Sequence, residues 1–519
     1  NRQQAMGVAV KTLLLSTPAI LFWLLTIVVL LLALPGQAWQ LKSEAVIVLG
    51  IIGIWRYSWW LSNVLRGIAY RWFVFPRLRQ LCDSLRSPYP QRLFVMVLSY
   101  KENPDISAKV FAALTRELMQ LPMDATLVVS VAEENEARYI RYIVDSIDKA
   151  SSVKLIFMKQ NQGKRVAMGH ALRRIARDFN DPGHWTTASK DDLVIFMDGD
   201  SLITPGTIKR TLGFFKLDPR LGGLTTHEDA IVQNGSLLAT EWYKLRFVRR
   251  HAMMKSHALS SKVLTLTGRF SIFRAPIVLS EQFIRGVEAD YLNHWLFGRF
   301  RFLMGDDKST WYHLLKEKWN MLYVPDVLIY SMESRIDSFF TLTIPLVFRW
   351  NGNMLRNNAR ALKLGPGRVG WYIWFAILDQ RVSMWTTFIG PITAAMLVFQ
   401  KSWVMAVFYL MWVIMTRLLQ LIVLAFNGKK LTVIDLPLQV YDQWVGSSVK
   451  IYASYHLNQQ SWSKAKSRSP STTHSKIKLS THNLASRVIM LVHITIVMTI
   501  LAMGVGVLKL PHSVSIHVL

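Results

Sequence analysis

Apolar residues gather at the two ends of this chain and break into short runs between them. From Leu13 to Leu34 there is no charged residue, and about twenty apolar residues in a helix suffice to cross ~30 Å of hydrocarbon. A second apolar stretch, Val46–Val64, is interrupted by Arg56 and follows a Pro-Gly turn with Lys42 and Glu44, so the pair predicts a helical hairpin. Beyond about Arg77 the pattern changes. Short apolar runs at Leu93–Leu98, Thr126–Val131, Lys154–Met158 and Leu193–Met197 alternate with longer stretches of helical periodicity as far as Phe340. Short buried strands alternating with helices predict an α/β domain, a mixed sheet with helices on both faces, inserted between α-helical transmembrane segments.

Long apolar stretches return after residue 370, at Met384–Phe399, Trp403–Phe426 and Val488–Leu508, which brings the expected number of spans to five. Leu431–Tyr455 is apolar but carries Asp435, Asp442 and Lys450 at intervals, the pattern of an amphipathic helix lying in the interface. The expected organisation is an N-terminal hairpin over residues 1–76, the α/β domain over 77–345, and interfacial helices over 346–382. Two spans over 383–427, an interfacial helix and basic loop over 428–487, and a last span with its tail over 488–519 complete it.

Charge gives this layout a direction. Asn427–Arg487 carries nine Lys and Arg against two Asp, whereas the short loop Gln37–Glu44 carries one Lys. The positive-inside rule therefore places the basic loop, the N-terminus and the α/β domain in the cytoplasm and the C-terminus outside. The single cysteine, Cys82, excludes an internal disulfide and a cysteine-based metal site and fits a reducing compartment. The net charge of +28 is open to three readings: lipid headgroups, an anionic substrate or product, and nucleic acid. No nucleic-acid-binding module accompanies it, which argues against the last. A cleaved signal peptide is the competing reading of the first stretch, but its apolar region would span only ~7–15 residues. The chain begins at Asn1 rather than Met, so further residues upstream are expected.

Candidate chemistry sits at the ends of the apolar runs. Asp198-Gly199-Asp200 directly follows Leu193–Met197, where open α/β sheets collect their ligands. Two hard carboxylates one residue apart can hold Mg²⁺ or Mn²⁺ and so neutralise a diphosphate leaving group; a surface turn explains the same triplet. Asn161-Gln162-Gly163-Lys164-Arg165-Val166-Ala167 follows another run and suits a phosphate, or is an ordinary basic helix start. Tyr100 and Glu102, after the first run, could stack on and hydrogen-bond a base or ribose. Downstream, Gly305-Asp306-Asp307-Lys308 supplies a second carboxylate pair able to take a proton from a hydroxyl, or a polar turn. Arg349-Trp350 is a cation beside an indole, equally an interfacial anchor.

In this order the residues resemble the family 2 glycosyltransferases that make and secrete cellulose, hyaluronan and alginate. Asn161–Ala167 is similar to that family's N-x-G-K-x-x-A element, Asp198-Gly199-Asp200 to its DxD, Asp306-Asp307 to its TED, and Arg349-Trp350 to the end of its Q-x-x-R-W. Leu346 stands where the Gln would be and Gly305 where the Thr would be. Those departures, with Gly222–Thr226, Glu241–Phe247, Leu264–Arg269, Gly305–Thr310 and Asp379–Trp385, are most similar to the alginate-producing branch over about residues 45–465.

The resemblance implies an inner-membrane, GT-A-type, processive inverting enzyme that polymerises GDP-mannuronic acid into β-1,4-linked polymannuronate. It implies Asp307, with Asp306, as catalytic, Asp198 and Asp200 as metal ligands, and Mg²⁺ or Mn²⁺ as cofactor. Tyr100, Glu102, Glu133, Lys164, Asp198, Arg349 and Trp350 would bind the donor, with Trp462 and Lys464 of a late loop closing over it. Thr267, Gly268, Arg269, Lys308 and Arg381 would face the acceptor or polymer, the cations meeting its carboxylates. No cyclic-dinucleotide receptor domain is legible in this chain, so control by cyclic di-GMP would require a separate PilZ-type co-polymerase. A transferase moving one sugar onto a lipid phosphate would share the domain and the DxD. A non-enzymatic transporter would explain the helices but not the ordered carboxylates.

Overall fold

A computed structural model describes residues 2–34, 45–179, 188–233, 235–302, 304–333, 338–400, 403–460, 476–504 and 507–508. Each expected apolar run is a strand. They are β1 (Leu93–Leu98), β2 (Ala125–Val131), β3 (Val153–Lys159) and β4 (Leu193–Asp198). To these are added β5 (Ser201–Ile203), β6 (Leu221–Val232), β7 (Phe270–Arg274), β8 (Tyr291–His294), β9 (Gly298–Arg301) and β10 (Asn320–Glu333). Eight strands form one sheet in the order β3-β2-β1-β4-β7-β6-β10-β5, while β8 and β9 form a separate hairpin.

The first half of the sheet is parallel, β3 to β4, and β7 runs antiparallel to both of its neighbours. Val95, Met96 and Val97 of β1 are wholly buried, as continuous apolar runs covered on both faces must be. The chain travels outward from β1 to β3 and then returns to place β4 on the other side of β1, with Leu98 beside Asp198. This reversal opens a crevice at the carboxyl ends of β1 and β4.

Among the described residues, four helices are long and apolar enough to cross a membrane: Met6–Leu32, Trp371–Phe399, Val404–Phe426 and Thr481–Met503. Leu25, Leu32, Phe399 and Ile500 on them are exposed and need an apolar surrounding. The expected second span lies within one helix, Ala45–Ala69, which is not among the four and carries Arg56 and Arg66. The expected count of five thus meets four that qualify by length and composition.

The helix containing the third expected span starts at Trp371, not at residue 383, and runs unbroken to Gln400. Its polar residues had masked this: Asp379 pairs with Arg56 at 2.5 Å and Arg381 donates to the Leu355 carbonyl at 3.1 Å. The helix Asp435–Ser454 likewise turns its charges into the protein. Asp442 takes Arg246 and Arg249, and Lys450 donates to the Gln380 carbonyl.

One buried ion cluster joins these helices to the domain. Lys429, 4% exposed, lies between Glu241 at 2.6 Å and Asp435 at 3.1 Å. Lys429→Met would leave buried Asp435 without a cation and Glu241 with Lys244 alone, so the purified protein is expected to lose about 3–5 kcal/mol of stability. Glu241→Gln, which leaves the Lys429–Asp435 pair, should lose less. Thermal unfolding in detergent reads the difference, and an unshifted midpoint for Lys429→Met would contradict this role.

Candidate active site

The crevice opens into a cavity of about 1050 Å³ lined from the β1, β3 and β4 termini, the Thr265–Arg269 loop, Gly305–Lys308 and Arg349–Trp350. Asp198 ends β4, and Gly199 continues with Asp200 into β5. A Cβ on Gly199 would come within 2.9 Å of the Ser99 Cα, so the close approach of the β1 and β4 termini needs glycine.

Lys164 opens the helix Lys164–Phe179. Its Nζ lies 2.8 Å from Asp198 Oδ1 and 3.0 Å from Asp306 Oδ2. Two carboxylate pairs more than a hundred residues apart in sequence therefore meet on one ammonium. Burial opposes the charge on Lys164, yet Asp198 and Asp306 outweigh it and hold its pKa above the ordinary lysine value. Gly268 borders this contact, where a Cβ would stand 2.9 Å from the Lys164 Nζ.

Asp306 and Asp307 begin the helix Asp306–Lys316, capped by Gly305 in the left-handed conformation at φ 78°. The two neighbours titrate in opposite directions. For Asp306 burial favours the neutral acid, but Lys164 and Arg165 outweigh it and hold its carboxyl below the usual range. For Asp307 burial and the Asp306 charge push the carboxyl above that range, against Lys308 and Lys164. Carboxylates driven apart in this way suit a charge-holding role and a proton-accepting role respectively. Asp307 accepts from its neighbour's Lys308 N–H at 2.9 Å and from Thr265 Oγ1 at 3.3 Å.

Asp200 is pushed up to about 7 by burial and by the carboxylates of Asp198 and Glu102, so this corner is short of positive charge. Asp198 and Asp200 offer hard oxygen donors, and the described residues contain no group of three or more His, Cys, Asp or Glu suited to a metal. That donor set fits a divalent ion taking the rest of its shell from phosphate and water.

The remaining expected site residues divide. Tyr100, Glu102, Glu133, Thr267, Arg269, Lys308, Arg349 and Trp350 all line the cavity. Glu133 pairs with Lys101 at 2.6 Å. Trp350 stacks on Trp242 with ring centroids 5.9 Å apart, and Arg246 lies over both indoles. Lys308 donates to the Leu264 carbonyl, and burial lowers its pKa to about 8. Arg269 is engaged by Glu228 at 3.2 Å and Glu333 at 3.7 Å. Arg381, expected to meet the polymer, is not among the cavity's lining residues. Trp462 and Lys464 lie outside the described residues. Leu346, at the position of the family's Gln, is 3% exposed and packs in an apolar cluster with Trp242 and Leu418.

Sequence reasoning missed Glu228. It is wholly buried in β6, bonded by Thr267 and paired with Arg250 at 2.8 Å as well as Arg269. The signal was present: His227-Glu228-Asp229 places charge inside an otherwise apolar strand.

A half-parallel sheet with paired carboxylates at its switch point, facing a second pair across one ammonium, defines a glycosyltransferase of the GT-A type. The chain belongs to glycosyltransferase family 2: the family described as "Glycosyltransferase like family 2" matches residues 90–353. Two relatives extend the match over most of the chain. "Glycosyltransferase alg8" of Pseudomonas syringae pv. tomato is 36% identical over 455 residues, covering 87% of this chain and 90% of the relative. Its namesake in Azotobacter vinelandii is 36% identical over 449 residues, covering 85% and 89%. The resemblance to alginate synthase catalytic subunits is met by these relatives. Among solved structures, a mannosyltransferase of Pyrobaculum calidifontis in complex with GDP-Man and Mn²⁺ is 13% identical with a TM-score of 0.45, covering 78% of this chain and 98% of that one.

Gly305 carries a prediction. An Ala there costs about 1–2 kcal/mol of left-handed strain, and its Cβ would stand 3.0 Å from the Asn353 Cγ. Gly305→Ala should therefore tilt the start of the Asp306–Lys316 helix and cut sugar transfer at least about tenfold at unchanged protein level. Transfer normalised to protein in isolated membranes measures it, and a full rate would contradict the assigned geometry.

Proposed function

We propose that this chain polymerises GDP-mannuronic acid into β-1,4-linked polymannuronate on the cytoplasmic side of a bacterial inner membrane and passes the polymer outward between its own helices. The observation that carries the reading is the Lys164 bridge, which sets the DxD and Asp307 in one cavity with Arg349 and Trp350. The donor reading is supported by the similarity to the Alg8 glycosyltransferases and by Lys308 and Arg349 on the cavity wall, cations that suit an anionic sugar. The helix Ala45–Ala69 serves as a fifth crossing, which keeps the N-terminus and the domain on one side.

In this reading Tyr100, Glu102 and Glu133 hold the base and ribose, and Lys164, Arg349 and Trp350 hold the diphosphate. A Mg²⁺ or Mn²⁺ ion held by Asp198 and Asp200 would neutralise the leaving group's charge. Asp307 accepts the proton of the acceptor hydroxyl as that oxygen bonds to the anomeric carbon. The bond from that carbon to the donor phosphate breaks on the opposite face, and the nucleoside diphosphate leaves with the electron pair. Asp306 keeps Lys164 in place, and Thr265 orients Asp307. Thr267, Gly268, Arg269 and Lys308 border the acceptor. A separate PilZ-type subunit would bring cyclic di-GMP control.

Membranes containing this chain and its partner, given GDP-mannuronic acid, Mg²⁺ and cyclic di-GMP, should make long polymer. Asp307→Asn should slow synthesis by about 10²–10⁴-fold, the usual weight of a general base, while still binding the donor. A product one sugar long would favour transfer onto a lipid. Polymer from a different nucleotide sugar alone would overturn the donor assignment.

A further inference from the structure

Arg356 is a buried cation that the chemistry above does not use. It lies about two turns beyond Arg349 on the helix Phe339–Lys363 and is 1% exposed. Among the described residues no carboxylate is paired with it; its guanidinium donates to the Leu457 carbonyl at 3.0 Å and to Asn353 Oδ1 at 2.5 Å, beside the Phe302 ring. An apolar side chain of similar volume would fill the same space without the cost of burying a charge. What an apolar residue cannot supply is two donors on one rigid plane.

One acceptor leads to the reacting groups and the other to the cavity wall. The Asn353 carboxamide, fixed by Arg356, packs directly on Gly305, where a Cβ would press on it at 3.0–3.2 Å. Gly305 caps the helix that begins with Asp306 and Asp307, and its carbonyl accepts from the Lys308 and Ser309 N–H groups. The other arm ties the same guanidinium to Leu457, a few residues before Gln460, which donates to the Arg301 carbonyl at 2.9 Å on the cavity wall. The opposite side of the turn is already held by Arg165, which donates to the Met304 carbonyl at 2.8 Å and to Ser309 Oγ at 2.9 Å.

We propose that Arg356 is a positioning residue for sugar transfer: through Asn353 it sets the Gly305 turn that aims Asp307, and through Leu457 it joins that turn to the chain that reaches the cavity wall at Gln460. The inference rests on the reading of Asp307 as the base. A residue of this kind acts on the chemical step and not on donor affinity, and its effect passes through Asn353.

The test uses the full chain in membranes with its partner and GDP-mannuronic acid, comparing Arg356→Met, Arg356→Lys, Asn353→Ala and the Arg356→Met/Asn353→Ala double variant. Arg356→Met is expected to lower kcat at least about tenfold with donor KM changed by less than about twofold. Arg356→Lys, which keeps the charge but not the fork, should recover only part of it. Adding Asn353→Ala to Arg356→Met should cost little more, because both act along one path. If Arg356→Met does not accumulate, the same cycle is run with Arg356→Lys. Losses that multiply in the double variant, or a raised KM at unchanged kcat, would overturn the proposal alone. A parent chain that releases no GDP would overturn the function reading and this inference with it.

Discussion

A single ammonium group holds this site together. Lys164 sits between Asp198 and Asp306, and each of the three comes from a different part of the fold: a helix start, a strand end and a second helix start. Without Lys164 the two carboxylates would face each other unneutralised in a cavity wall, a costly state. The close packing around the bridge is visible at Gly268, where a Cβ would come within 2.9 Å of the Lys164 Nζ and 3.1 Å of Asp198 Oδ2. The sheet's reversal between β1 and β4 creates the crevice, and the bridge fixes what faces what across it.

The same bridge divides the labour of Asp306 and Asp307. Although adjacent in sequence, one faces Lys164 and Arg165 and stays ionised, while the other bears the burial and its neighbour's negative charge and is easier to protonate. Around them the support is built from buried cations with separate tasks. Arg165 holds Met304, Arg360 holds Asp290 at 2.8 Å, and Arg269 and Arg250 hold Glu228 beneath the floor of the cavity. The high net charge of the chain is thus partly internal scaffolding and not wholly a surface for lipid.

Much of this was legible in the sequence. Apolar runs of strand length gave the first four strands to within a residue at either end, because strands buried on both faces leave no other signature. The order of Lys164, Asp198, Asp307 and Arg349 identified the family, and the cavity gathers all four. What the sequence concealed depended on partners distant in the chain. Asp379 and Arg381 made the start of the Trp371–Gln400 helix look interfacial, yet each finds its partner inside the protein. Arg269 was expected to meet a substrate carboxylate, but Glu228 and Glu333 already engage it. Arg356 acts through such contacts, which no spacing rule reveals, whereas Glu228 left a trace as charge inside a strand.

The most direct test of the account is the pH dependence of sugar transfer in three forms of the chain. As the proposed base Asp307 must be ionised to accept a proton, so the rate should fall on acidification through a pKa raised above the ordinary carboxylate range. Asp306→Asn removes a neighbouring negative charge and should move that acid limb to lower pH. Lys164→Met removes a neighbouring positive charge and should move it to higher pH. Opposite displacements would establish that the bridge and the base form one electrostatic unit; limbs that stay in place, or move together, would contradict it.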